Sequence, residues 1–412
     1  MKNKIVFFSC FILMSLTSFS QSISSSPYSL YGVGSLYDSD FGSIPSIGSS
    51  GIALPSSNFI NNLNPASLGS MPLNHFMLDV GGKAIATTYQ NNSRSEKRNN
   101  FQFSHLAFAF PITKRSGFSV ALRPYSSASY KISNLKLPIA DSNESYYLTA
   151  GGSGGLNNFD FSYGYRVTEK LSVGASAALL FGNVVDDRTF SILNSITNVH
   201  KKTDYNGLRA TLGMQYKIDS TLTIGATFKL PAQIKSSKIQ TVETITDDVY
   251  NAIETDVASD VDDYYLPSEI GVGISKKFKK VLTTTFDYQK SLWKDTKQSD
   301  LYGEFVNQDR FAFGLTYFNE KRNFRKYWDR VQYFAGANFD TGYLEVDGKR
   351  VNDASISIGV RLPIENTFSA LNISYSYGQK GRIANDLIKE NYHKLSINLS
   401  LDGIWFVKRK FE

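Results

Sequence analysis

The sequence predicts an all-β fold: a transmembrane antiparallel β-barrel of about fourteen strands, preceded by an N-terminal plug or hatch segment. Three observations predict it. Apolar and polar residues alternate from about Phe76 to Trp405, the period of a strand with one face on lipid and one on the lumen. Very short turns alternate with long polar connections, as in outer-membrane barrels. An export signal precedes both features.

Residues 1–20 read as a secretory signal peptide: Lys2 and Lys4, an apolar stretch from Ile5 to Leu16, then small polar residues before Gln21. Removing it takes away Cys10, the only cysteine, and lowers the formal net charge by two, from +7 to +5. Disulfides are thereby excluded, so a closed hydrogen-bonded wall must hold the mature chain together. The remaining charge forms no basic stripe with interleaved aromatics, which excludes a nucleic-acid partner. Charged residues at 20% and aromatics at 14% suit a lipid-exposed wall with aromatic girdles.

Residues 21–74 form the second unit. They are rich in Ser, Gly, Asn and Pro, and they lack strand alternation. A polar segment with scattered apolar residues ahead of a barrel is expected to sit in the lumen as a plug; a loose periplasmic tail is the alternative.

Residues 75–412 form the barrel. Strands are expected at 76–90, 101–113, 117–132, 145–167, 171–185, 206–218, 221–233, 265–277, 281–292, 306–319, 328–342, 351–363, 367–379 and 391–405. The stretch 206–233 is the clearest hairpin: Leu208, Ala210, Leu212, Met214 and Tyr216 share one face, Asp219-Ser220 turns, and Leu222, Ile224, Ala226, Phe228 and Leu230 resume it. Short turns include Lys114 to Ser116, Thr168 to Lys170, Asp219-Ser220, Phe278 to Lys280 and Glu365-Asn366, with a longer one at 320–327. The opposite side carries long connections, among them 186–205 and 234–264. An even strand count places both termini in the periplasm and the chain in the outer membrane, with membrane lipid around it. Charges fall on the lumen parity: Arg123, Arg209, Lys229, Asp287, Arg310 and Arg361. A lipid-facing charge at mid-bilayer costs ~2–4 kcal/mol, so this segregation favours a membrane barrel over a soluble sandwich.

Asn64-Pro65-Ala66, with Gly48 and Gly51-Ile52-Ala53 upstream, gives the chain a resemblance to the FadL/OmpP1/TodX family of outer-membrane hydrophobic-compound transporters. Its ending, from Leu387 to Lys410, looks like the Bacteroidota members. The resemblance implies an N-terminal hatch bearing the Asn-Pro-Ala triplet inside a fourteen-stranded barrel. It also implies passive uptake of a small hydrophobic ligand, with helices in the third and fourth outside loops. Some relatives serve in secretion or assembly complexes instead.

The fourth outside loop carries Val242, Ile245, Val249, Ile253, Val257 and Val261 at three- and four-residue spacing among eight acids. That spacing predicts an amphipathic helix, although β-branched residues weaken it. In the third loop Phe190, Leu193 and Ile196 give a fainter version. Lumen candidates for a ligand head group are Arg123 and Arg209, with His105 as a donor. Phe59 and Leu63, with Ile52, Leu54 and Ile60, would line a pocket or anchor the plug. Gly151, Gly152, Gly154 and Gly155 are expected to interrupt the fourth strand as a bulge. In the family, a strand kink opens a lateral exit, but on the third strand.

No metal or cofactor is expected, since the four histidines show no ligand spacing. The chain is not expected to be an enzyme; a lipid-modifying site at His393 with Ser396 or Ser374 is the weakest of three readings. Passive uptake of a fatty acid or aromatic leads. Next comes a non-transporting barrel subunit, partnered by other outer-membrane proteins of a secretion or assembly complex.

Overall fold

The computed structural model describes residues 26–404 except 140–141, 143, 248, 280, 301–302, 320–325, 365–368 and 385–386. The expected export signal and the basic tail at 408–410 lie outside the described residues.

Fourteen antiparallel strands close into one barrel. They are β1 (His75–Gln90), β2 (Ser95–Thr113), β3 in three pieces (Ser116–Pro124, Ser126–Ser127, Tyr130–Pro138), β4 (Ser145–Arg166), β5 (Leu171–Ile192) and β6 (Ser195–Lys217). Next come β7 in two pieces (Leu222–Lys229, Ala232–Thr246), β8 in three (Val249–Asp260, Tyr264–Leu266, Glu269–Phe278), β9 (Leu282–Ser291) and β10 (Gln308–Tyr317). The wall ends with β11 (Gln332–Asp340), β12 (Asp353–Pro363), β13 (Ala370–Lys380) and β14 (Lys389–Ile404). Each strand pairs with its sequence neighbours, and β14 closes on β1 from His75–Ile404 to Gln90–Lys389. Neighbouring strands thereby satisfy one another's ladder groups, as strands that span a membrane must.

The alternation sets the two faces. Leu208, Leu212, Ile356 and Ile358 are 52–64% exposed to the barrel's surroundings, whereas Asp287, Arg209 and Arg361 on the opposite parity are buried. Tyr165, Tyr216, Tyr317 and Tyr333 ring the short-turn end, outward and exposed, as an aromatic girdle does at a membrane interface. The β6–β7 hairpin forms as its sequence requires, with Leu212 opposite Phe228 and Tyr216 opposite Ile224.

Two expected loops are strand instead. β5 and β6 run on through 186–205, and β7 and β8 through 232–260. The amphipathic helix expected over 242–261 is an antiparallel hairpin, Thr246 pairing with Val249 and Thr244 with Asn251. Its apolar residues are almost all β-branched, and β6 offers its edge from Ser195 to Gly207. Cross-strand pairing thus outweighs the helical spacing. The weaker third-loop pattern gives way likewise, with Phe190 opposite Thr197. As a result β4, β5 and β6 reach 22, 22 and 23 residues, roughly 70 Å at ~3.3 Å per residue. About ten residues suffice to cross a bilayer, so these strands stand well clear of it.

The glycine run does not interrupt β4, which pairs with β5 without a register break through Gly151–Asp187, Gly154–Val184 and Gly155–Asn183. The break lies opposite, in β3 at residues 125–129. There Ser126–Ser127 folds inward and pairs with a two-residue strand, Ser35–Leu36, of the N-terminal segment. Glycine is needed on β4 for that approach: a Cβ on Gly155 would lie 2.3 Å from the Ser126 carbonyl oxygen, and Gly154 has φ +90°. β2 and β3 pair only from Leu106–Leu122 towards the short turn. Beyond that point, among the described residues, the outer part of β3 pairs with β4 alone.

Residues 26–74 lie against inward side chains of the wall. A short 3-10 turn at Ile44–Ile47 and another at Pro65–Ser70 are almost wholly buried. Phe41, Ile44, Phe59, Ile60, Leu68 and Met71 pack with Met77, Ala107 and Ala121 of β1–β3. Both termini were expected at the short-turn end. Ile404 is there, opposite His75, but Ser26 sits at the other end, its hydroxyl donating to Glu390 at 2.6 Å.

Candidate functional site

The lumen is the candidate site, and the backbone of residues 34–70 is bound there by polar side chains of the wall. Asp287 on β9 accepts from the amides of Gly51 (2.6 Å) and Ile52 (2.9 Å). Gln215 on β6 donates to the carbonyls of Ile52 and Leu54, both at 2.9 Å. Asn398 on β14 donates to those of Asp40 (2.6 Å) and Gly42 (2.8 Å). Arg361 on β12 donates to the Asn58 carbonyl at 2.8 Å. Inward glycines supply the remaining space: a Cβ on Gly174 would meet the Pro65 carbonyl carbon at 2.4 Å, and one on Gly336 the Gly48 nitrogen at 2.1 Å.

Asn64, Pro65 and Ala66 are fully buried or nearly so. The Asn64 amide group donates to the carbonyls of Ile52 (2.9 Å) and Met214 (3.0 Å), and its oxygen accepts from the Ala66 amide at 3.0 Å. One side chain therefore ties two parts of the segment to β6 and caps the turn that Pro65 begins.

Two acids, Asp38 and Asp40, are the only charges between residues 21 and 74, and both meet cations of the wall. Asp40 pairs with Lys83 at 2.7 Å and Lys394 at 3.6 Å, and Asp38 with Arg310 at 2.7 Å. Burial opposes ionisation of Asp40, but Lys83 and Lys394 outweigh it and hold the carboxyl below its usual range. These acids were missed as site residues, though their isolation in an otherwise uncharged segment was the available signal.

Arg123 pairs with Asp160 at 3.2 Å. Arg209 pairs with Glu269 at 2.9 Å and donates to the Pro267 carbonyl at 2.6 Å. His105 is fully buried, 2.9 Å from Asp79, and stacks on Phe41. A bulge in β2 at Ser104, opposite the Gly81–Gly82 step of β1, turns both Ser104 and His105 inward. Phe59 is buried in the apolar cluster and Leu63 packs against it. The five expected ligand-binding residues are thus spread among ion pairs and packing contacts.

Two adjoining cavities of about 200 and 130 Å³ flank residues 37–49. Arg123, Arg209, Lys229 and Arg310 line both, with Glu269, Asp340, Asp353 and Lys394 in the larger. Pockets for drug-sized ligands run to ~300–1,000 Å³ and are mostly apolar; each cavity is smaller than that, and the lining the two share is charged. His393 faces outward, accepting or donating with the Tyr375 hydroxyl at 2.7 Å. Ser374 and Ser396 pair with each other on the inward face. An odd separation along one strand puts His393 and Ser396 on opposite faces, so His393 meets neither serine.

Comparison with known proteins gives the fold a context. The toluene transporter TodX of Pseudomonas putida is similar over 92% of this chain and all of its own, with TM-score 0.65 and 15% identity. The toluene transporter TbuX of Ralstonia pickettii gives TM-score 0.63 and 16% identity over 88% of this chain and 98% of that one. A Pseudomonas aeruginosa FadL homologue gives 0.64 and 12% over 90% and 100%. At such identities the likeness is one of fold. No curated protein matches by sequence. The family model described as BamG matches residues 1–412, and the chain belongs to the BamG family.

Proposed function

We propose that this barrel is a non-transporting subunit of an outer-membrane assembly or secretion complex, with residues 26–74 acting as a fixed plug. One observation carries the reading: the lumen holds a bound segment and a small charged chamber in place of an apolar path. An apolar solute gains ~25 cal/mol per Å² only where apolar surface covers it, and beside the Trp293 and Tyr343 rings this chamber presents Arg209, Glu269, Arg310 and Asp340. The tall extensions of β4–β8 add a surface for partners outside the bilayer. Gentle-detergent purification of the tagged chain tests this. Another barrel in stoichiometric yield, with unchanged uptake of radiolabelled toluene and fatty acid in a deletion strain, is the expected result. Loss of uptake with no companion protein would refute it.

Passive uptake of a small hydrophobic compound remains the second reading. Its support is the fold shared with channels described as toluene transporters and the wall break in β3. On this reading Arg123 and Arg209 would meet the ligand, and their replacement would change uptake more than stability.

A further inference from the structure

The acidic stretch at 242–261, with its regularly spaced apolar residues, takes no part in the plug or the lumen. It forms the β7–β8 hairpin, which stands beside the β5–β6 hairpin. The two tips are tied together. The Asp247 amide donates to the Asn194 carbonyl at 3.3 Å, the Asn194 side chain donates to the Asp247 carboxylate at 3.2 Å, and the Ser195 and Thr246 hydroxyls meet at 3.1 Å. Just below the tips an apolar row crosses three strands: Ile196 lies opposite Ile245, and Ile245 opposite Tyr250. The register of β5 and β6 runs unbroken from Leu171–Tyr216 to Ile192–Ser195, so Ile196 keeps the outward parity of Leu208 and Leu212. The row therefore faces sideways, away from the lumen. Ile196 and Tyr250 are 41% and 57% exposed.

Lipid does not reach that row. Its β5 position, Ser191, lies ten positions beyond Phe181, the last outward aromatic of the strand. That is roughly 33 Å of strand at ~3.3 Å per residue, or about 25 Å of height at a tilt of ~35–45°. Asn183, Asp187 and Thr189 are among the outward residues in between. At the tip itself Leu193 is 85% exposed with φ +48°, at the first position of a two-residue hairpin loop. Glycine is the usual residue there, and a bulky side chain is strained. A strained apolar residue set in water at a tip points to a contact made elsewhere than in this fold.

Charge at this end has one sign. The sequence holds no Lys, Arg or His from Thr189 to Val199 or from Thr241 to Asp263. Glu243 and Asp247 border the apolar row, and Glu243 accepts from the Tyr250 hydroxyl at 2.8 Å. A second copy would set acid against acid here, as would an anionic lipid head group, whereas a cationic rim complements it.

We propose that this outward tip patch docks the extramembrane part of a neighbouring protein, through an apolar surface rimmed by Lys and Arg. Leu193, Ile196 and Tyr250 supply the apolar area to be buried, and Glu243 and Asp247 select by charge. The sideways aspect places that partner beside the barrel, above the surrounding lipid, and not over its mouth. This rests on the subunit reading and names the surface by which a companion is held.

The test puts the photo-crosslinker benzoylphenylalanine in place of Tyr250 in the full chain, in the cells that make it. Asn206, on the same face but nearer the membrane, is the control site. Irradiation of the Tyr250 site should give one discrete protein adduct that the Asn206 site lacks. The crosslinked peptide of the partner should lie in an apolar surface flanked by Lys and Arg. Glu243→Lys with Asp247→Lys should cut the adduct at least tenfold. Leu193→Gly relieves the loop, so it should leave the thermal midpoint equal or higher and still cut the adduct at least threefold. Heat-modifiable gel mobility confirms the barrel in each variant. The proposal is overturned by no adduct at the Tyr250 site, by an adduct with lipid or with a second copy, by an adduct that survives the charge reversal or Leu193→Gly, or by a crosslinked surface rimmed with acids. Another barrel in stoichiometric yield without the adduct would remove this patch alone. The adduct together with solute uptake lost on deletion would leave the patch standing and remove the subunit reading.

Discussion

Replacing Asn64 by alanine tests how the N-terminal segment is retained. The side chain makes three close hydrogen bonds, to Ile52, Met214 and Ala66, at 2.9–3.0 Å, and a longer one to the Ala226 carbonyl at 3.4 Å. Each is worth about 1 kcal/mol net, and an orphaned buried amide costs ~1–3 kcal/mol more. The Ile52 carbonyl keeps Gln215, so it is not orphaned; the Ala66 amide loses the acceptor that caps its turn. The expected loss is about 3 kcal/mol, roughly a hundredfold in the ratio of released to bound segment. Most of it should fall on the segment, because the strands behind it keep their ladders. Amide hydrogen exchange in detergent reads this directly. Amides between residues 51 and 68 should exchange about a hundred times faster, while those of β5 and β6 stay protected. Unchanged exchange in the segment would refute the reasoning, as would equal loss of protection in the strands.

Gly174→Leu should displace Pro65, which a Cβ would approach to 2.4 Å, and raise ion conductance across planar bilayers above that of the parent barrel. Arg209→Ala should lower thermal stability through loss of a buried pair, at the low end of ~3–5 kcal/mol because Lys229 still faces Glu269 at 2.8 Å; melting with unchanged solute uptake is the measurement. Asp40 has a depressed folded-state value, so its contribution is complete above the ordinary 3.8 and is lost progressively as pH falls from there through the lower folded value. Thermal midpoints should therefore be flat in this respect from neutral pH to about pH 5 and fall more steeply in the parent than in Asp40→Asn below 3.8.

The wall was legible because lipid enforces a period of two: a slip of one residue would put Arg209 or Asp287 into hydrocarbon. Above the bilayer that constraint ends. Residues 242–261 could then keep a helical spacing of apolar residues and still pair as strands, since only the free edge of β6 decided the outcome. The β3 break escaped notice for a related reason. The glycines that permit it lie on β4, and the residues that move, from Tyr125 to Ser129, carry no unusual composition. Lumen parity was correct for Arg123 and Arg209, but parity does not reveal whether the facing partner is a ligand or a carboxylate. Asp160 and Glu269 are each far away in sequence, on strands whose register only the closed barrel fixes.

A channel fold need not keep a channel's lumen. The wall depends on outward apolar residues and ladder bonds, and both are independent of what lies inside. Inward positions are thus free to change function while the barrel persists. Here they hold donors and acceptors matched to one peptide backbone, from Asp287 and Gln215 to Asn398, together with glycines where that backbone touches. A solute that must pass would have to break such contacts in concert, at about 1 kcal/mol or more for each neutral bond and ~1.5–3 for each charged one. An apolar molecule makes no bond in return with which to offset that loss. The same count predicts which change would restore passage: removing the wall's contacts to the segment, with Asp287→Ala and Gln215→Ala together, should open the lumen, whereas enlarging the charged chamber alone should not.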